Sequence, residues 1–212
     1  MQTRREMLGM MAVGLVGLAG TSLARLVKAE EVQTPSTLDN LLAVFNSESN
    51  ASNRDLAFAK KADEEGYSKV AQLFRAVAHS EQVHAQNFAA AIKKMKGTPK
   101  ATLDTVKVDT TTANLGTVLK AESFERDTLY AAYIAQATKD GNRDALRCFN
   151  YSKAGETAHA KMYQDALAGL DQWKSAGDGL WVCEVCGYIV YKVDFKKCPI
   201  CYSPKEKYTL VG

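Results

Sequence analysis

A Glu-x-x-His-Ala pentad occurs twice in this chain, as Glu81-Gln82-Val83-His84-Ala85 and as Glu156-Thr157-Ala158-His159-Ala160. Each is followed at the same offset by an aromatic residue, Phe88 and Tyr163, and each lies fifteen residues after a glycine placed like a turn, Gly66 and Gly141. On a helix, positions i and i+3 share a face, so each pentad aims a carboxylate and an imidazole in one direction. Such groups are costly on an inward face unless something satisfies them. A metal would satisfy them, and Glu-x-x-His on two helices is what a carboxylate-bridged dimetal site in a four-helix bundle requires.

The same logic predicts the remaining ligands. Each helical hairpin must supply a carboxylate from its first helix, level with the pentad on its second. Glu48 lies eighteen residues before Gly66; Glu122 and Glu125 lie nineteen and sixteen before Gly141. At about 1.5 Å per residue these stand ~24–29 Å from the turn, against ~22–27 Å for the Glu-x-x-His pairs. Glu48 falls on a stripe with Leu41, Phe45 and Ser52, and Glu122 and Glu125 fall among Leu115, Val118, Leu129 and Ala132. Charged residues thus interrupt an apolar seam at every level where a ligand is needed.

The helices follow from periodicity and stop signals. We expect Thr37–Glu65, capped by Ser36 or Thr37 and stopped by Gly66, then Ser68–Lys96, Ala113–Asp140 and Arg143–Leu170. Lys100–Thr112 has little helical periodicity and is long for a hairpin turn; it suits the crossover of a ferritin-like bundle, joining two parallel helices. His79 lies off the ligand seam, Cys148 reads as buried filler, and Phe74, Phe124, Tyr133 and Phe149 read as packing.

After Asp178-Gly179 the chain carries Cys183-x-x-Cys186-Gly187-Tyr188 and Cys198-Pro199-x-Cys201, with eleven residues between the two pairs. Two such knuckles let four thiolates close tetrahedrally on one ion, zinc or iron. A pair of disulfides is the alternative for an exported chain. So short a module buries little core and needs the metal for stability.

At this point the sequence resembles the rubrerythrins, from about Thr37 to the C-terminus. The residues that carry the resemblance are Glu48-Ser49-Asn50-Ala51-Ser52-Asn53-Arg54, Glu65-Gly66-Tyr67, Glu81-x-x-His84, Glu122-x-x-Glu125 and Glu156-x-x-His159. Trp181-x-Cys183-x-x-Cys186-Gly187-Tyr188 looks like a rubredoxin, and the segment between the knuckles is about one residue shorter than usual. The resemblance implies a ferritin-like four-helix bundle (37–171) joined through 172–178 to a rubredoxin-like domain (179–212). It implies two non-haem irons on Glu48, Glu81, Glu122, Glu125, Glu156 and His159, with His84 exchanging against Glu125 on redox change. It also implies one iron on the four cysteines, where zinc is the alternative. Tyr130 matches a family tyrosine beside the site; where the family usually has another, this chain has Asp55. The activity implied is reduction of hydrogen peroxide, with an electron donor protein or reductase upstream and a head-to-tail homodimer. From other function classes, iron oxidation and buffering of the ferritin kind remains open, as does an iron-binding protein with a zinc tail and no turnover.

The N-terminus reads as a signal. Arg4-Arg5 precede a weakly apolar, Gly-rich run from Gly9 to Gly20 and then Val27-Lys28-Ala29, a pattern like a twin-arginine export signal over 1–29, followed by a linker over 30–36. Export to the periplasm is the expectation, with membrane attachment only if the signal stays on the chain. Residues 1–29 hold four cations against Glu6, which accounts for the whole formal charge of +3 and leaves the rest near zero. No basic surface then remains to argue for nucleic acid.

Overall fold

The computed structural model describes residues 35–212; the expected signal and most of the linker after it lie outside them. The first helix, α1 (Thr37–Glu64), starts with a reciprocal capping box in which the Ser36 side chain accepts from the Asp39 amide and the Asp39 carboxylate accepts from Ser36. It ends at Gly66, whose φ of +80° is the left-handed conformation that glycine adopts without strain. The chain returns as α2 (Ser68–Lys94). Gly141, at φ +66°, reverses the second hairpin in the same way, between α4 (Tyr130–Lys139) and α5 (Arg143–Ala168), whose N-cap Asn142 accepts from the Ala145 amide.

The segment between the hairpins runs the length of the bundle. It leaves α2 near Leu38, passes Asn46 and Asn50, and delivers Thr111 to Glu65 at the far end of α1. Asn46 and Asn50, one turn apart on α1, pin it by accepting from the Thr102 and Asp104 amides at 2.8 Å. The next helix, α3 (Thr111–Phe124), therefore starts at the end where α2 starts and runs the same way, as a ferritin-like crossover requires.

Sequence periodicity predicts one helix over 113–140. The structure instead has α3, a π-helical turn at Glu125–Leu129, and then α4. A π turn inserts an extra residue and rotates the rest of the rod about its axis, a local cost that occurs mostly at functional sites. The turn begins at Glu125 itself.

Two apolar plugs fill the bundle. One contains Phe58, Leu73, Phe74, Val77, Leu115, Val118 and Tyr163; the other contains Leu41, Val44, Phe88, Ile92, Tyr130 and Phe149. Along every helix the polar residues of the seam lie between the plugs: Glu48, Ser52 and Asp55 on α1, Ser80, Glu81 and His84 on α2, Glu122 on α3, and Ser152, Glu156 and His159 on α5. Cys148 and Phe149 are buried as expected, whereas Phe124 is 56% exposed, because it lies off the seam.

After a 3-10 turn at Leu170–Trp173 the chain forms a three-stranded antiparallel sheet of β1 (Leu180–Cys183), β2 (Ile189–Val190) and β3 (Tyr208–Val211), ordered β2-β1-β3. Period-two alternation in β1 gives the sheet two jobs. Leu180 and Val182, with Ile189, join the first apolar plug of the bundle, while Trp181 and Cys183 face the module's own cluster around the cysteines. Among the described residues no helix is long and apolar enough to cross a membrane.

Phe74 touches Phe58 edge-on and Tyr163 at centroid distances of 5.6 Å and is fully buried. Phe74→Ala is expected to lower stability by about 3–5 kcal/mol in denaturant titration, the cost of a large cavity in a packed core.

Candidate metal centres

Six of the seven predicted ligands of the bundle, Glu48, Glu81, His84, Glu122, Glu156 and His159, are at most 1% exposed and converge on one level. They form two groups of four, each with ligand atoms within 4.8 Å of one another: Glu48, Glu81, His84 and Glu156, and Glu81, Glu122, Glu156 and His159. Glu81 and Glu156 belong to both. Heptad-like spacing on α1, α2 and α5 puts these side chains on the inner face, and the plugs above and below fix their height.

The two imidazoles present Nδ1 to the carboxylates. His84 Nδ1 lies 2.7 Å from Glu81 and 3.5 Å from Glu156; His159 Nδ1 lies 2.9 Å from Glu156, 3.2 Å from Glu81 and 3.4 Å from Glu122. Tyr130 donates to Glu48 in a short hydrogen bond, and burial and the Glu48 charge keep its phenol protonated. Both oxygens of Glu156, one of Glu48 and Nε2 of His84 are buried without a hydrogen-bond partner. Orphaned acceptors of that kind are rare in folded proteins and call for an ion.

The charges make the same demand. Burial and the Glu81 charge push Glu48 and Glu156 well above the usual carboxylate range. Burial acts on Glu81 too, but the His84 and His159 rings outweigh it and hold this carboxyl low. His159, which burial alone would discharge, is lifted to about 10 by Glu81 and Glu122. Without cations the layer balances its negative charge by keeping protons; divalent ions would displace them. Hard oxygen donors with one imidazole per group suit iron.

The seventh predicted ligand lies apart. Glu125 belongs to neither group; its carboxyl accepts from the Ser47 hydroxyl at 3.1 Å and is pushed up to about 8 by burial and by Glu122. The backbone is still α-helical through Glu125, whose N–H bonds the Ala121 carbonyl, so the difference lies in the side chain, which turns to Ser47, and the π turn alters only the residues after it. Asp55 is fully buried, bonded to Arg54 Nε and to the Tyr163 hydroxyl at 3.0 Å each. Arg54 reaches Glu122 and Ser80 meets His159, while Tyr163 holds Asp55 and Ser47 holds Glu125; spacing and periodicity alone do not single these four out. The Glu48-to-Arg54 match held a hint of Arg54, but a lone serine carries no such signal.

In the C-terminal module Cys183, Cys186, Cys198 and Cys201 form a third group. Their sulfurs are 3.7 Å apart for Cys183 and Cys201 and 3.6 Å for Cys186 and Cys198, and none is in a disulfide. Metal–sulfur bonds of about 2.3 Å in a tetrahedron place the sulfurs at about that separation. The module sits on α2 of its own chain. Ser80 Oγ donates to the Gly187 carbonyl at 2.6 Å and meets His159 Nε2 at 3.0 Å; Asn87 donates to the Val185 carbonyl at 3.0 Å. His79, off the seam as expected, pairs with Glu184 at 2.8 Å.

Comparison with known proteins agrees with this geometry. The Rubrerythrin family model matches residues 39–167. The chain is 36% identical over 175 residues to nigerythrin of Nitratidesulfovibrio vulgaris, covering 82% of this chain and 86% of that protein. It is 27% identical over 180 residues to rubrerythrin of Porphyromonas gingivalis, covering 83% and 90%. Fully reduced, all-ferrous nigerythrin superposes with a TM-score of 0.76 at 33% identity over 87% of this chain and 91% of that one. A bacterioferritin of Mycobacterium tuberculosis, at 20% identity, 66% and 89% coverage and a TM-score of 0.60, shares the fold.

Because Glu81 and Glu156 each serve both groups, replacing either with Ala is expected to remove both bundle cations. Glu48→Ala or Glu122→Ala, each touching one group, should cost one. Metal content per folded chain, with the four-cysteine ion as internal reference, checks the difference.

Proposed function

The chain belongs to the rubrerythrin family, and on that premise we propose that it is a non-haem di-iron peroxidase, reducing hydrogen peroxide to water with electrons relayed from a four-cysteine iron centre. The observation that carries this reading is the shared pair Glu81 and Glu156 between two ligand groups, with the four-cysteine module seated against the same helix. Storage of iron would need no such module.

In this reading Glu48, Glu81, His84 and Glu156 would hold one iron, and Glu81, Glu122, Glu156 and His159 would hold the other. Bound there, two ferrous ions would supply the two electrons that reduction of peroxide to water consumes, and an iron held by Cys183, Cys186, Cys198 and Cys201 would return them one at a time. The chain's own residues do the rest. Glu81 and Glu156 are anionic, hard donors that can span two cations and offset their charge. Tyr130 orients Glu48 by donating to it. Glu125, whose carboxyl is raised by burial and by Glu122 and held by Ser47, stands beside the layer, where it could carry a proton or move in as a ligand. His84 inside and Glu125 outside is the arrangement expected of the reduced state if the two exchange. His159 Nε2 meets the Ser80 hydroxyl, which in turn donates to the carbonyl of Gly187, the residue after Cys186. That line of hydrogen bonds joins the two centres within one chain, and a homodimer that exchanged modules would keep it. The apolar plugs keep water from the layer. The donor to the module is a protein or reductase of unidentified kind. Export through residues 1–29 is part of the proposal, on the twin arginines and the Gly-rich apolar run alone.

Rapid mixing of the reduced protein with peroxide and, separately, with oxygen tests the reading. Fast oxidation by peroxide and slow oxidation by oxygen is the expected outcome. Ferrous iron uptake beyond three ions per chain would favour storage instead, and a colourless, zinc-only tail would remove the electron path.

A further inference from the structure

Gly155 stands inside α5, where alanine is the better helix former. Its neighbour gives the reason for a glycine. A methyl group built at Gly155 would lie 2.6 Å from Cε1 and 2.8 Å from Nε2 of His84. Gly187, in the first cysteine knuckle, meets the same ring from the module side: a methyl there would lie 2.6 Å from His84 Cδ2, closer still to Nε2, and 2.9 Å from Ser80 Oγ. Carbon contacts this short do not persist, and in each case the atom struck is the far end of the imidazole, which is the part that would move. The ring is fully buried, and its Nδ1 faces Glu81 and Glu156.

We infer that Gly155 and Gly187 form a two-walled slot that holds the His84 imidazole on the carboxylate layer, one wall from the bundle and one from the four-cysteine module. The inference rests on His84 being a ligand, as in the reading above, and adds a positioning role for two residues without side chains. It has a consequence for regulation. Because one wall belongs to the module, the seating of the module on α2 fixes where His84 points, and His84 cannot leave the layer on that side unless Gly187 yields. Ser80 and Asn87, which bond the Gly187 and Val185 carbonyls, hold that wall in place.

Double-mutant cycles on the full-length, zinc-loaded chain test the slot without any redox step, so their failure is distinct from failure of the peroxidase reading. Gly155→Ala is expected to lower the thermal midpoint in the wild-type background and to raise it in a His84→Ala background, where the ring is gone and helix propensity alone acts. Gly187→Ala also carries the strain of its φ of +79°, but in both backgrounds, so the cycle with His84→Ala cancels it and leaves the steric part. Should Gly155→Ala alone fail to fold, the double variant is expected to recover. Nitrogen NMR of the three histidines gives a second readout: in Gly155→Ala the His84 ring signals should shift while those of His79 stay. Additive midpoints in both cycles, unmoved His84 signals in Gly155→Ala, or a double variant that fails to recover would overturn the slot.

Discussion

Burying a layer of carboxylates and imidazoles across the middle of a helical bundle is the constraint on which the rest of this structure depends. Charged groups in a low-dielectric interior are unfavourable unless they are paired or bound to cations. Here burial and the Glu81 charge drive the Glu48 and Glu156 carboxyls toward their protonated form. The layer is stable only with its members at one height, which fixes the register of four helices. The plugs above and below supply the hydrophobic burial that the layer itself forgoes, and they keep water from competing for the same donors.

That register shows how little freedom each helix has. On α1, Leu41 and Val44 belong to one plug, Glu48 to Asp55 to the layer, and Phe58 to the other plug. On α2 the order reverses, from Val77 through Ser80 and His84 to Phe88, as it must in an antiparallel partner. The third helical rod departs, and it departs at the site. The π turn starts at Glu125, whose carboxyl accepts from Ser47, while Glu122 before the turn and Tyr130 after it both face inward.

The four-cysteine module is joined to the bundle by the same economy of faces. One side of β1 completes an apolar plug and the other encloses the cysteines, so the module has no independent orientation once Leu180 and Val182 are buried. Its first knuckle then falls beside α2, and the backbone at Gly187 comes within reach of both Ser80 and His84. A side chain at that position would hold the two centres apart.

The sequence by itself determined where the helical rods run, their turns at Gly66 and Gly141, the long crossover, the six residues, of seven expected, that converge in the layer and the two cysteine knuckles. It could do so because each rests on local rules: helical period, capping chemistry, ligand spacing. Heights could be counted because every residue of a helix rises by the same amount. Only the tertiary structure decided that Glu125 stands outside the ligand groups, that Asp55 meets Arg54 and Tyr163, that Phe124 faces solvent, and that Ser80, Gly155 and Gly187 surround the histidines. The physical reason is common to all of these. A helical repeat says which face a residue lies on, but the break in that repeat, and the neighbours that a serine or glycine meets across a helix interface, depend on how distant segments pack.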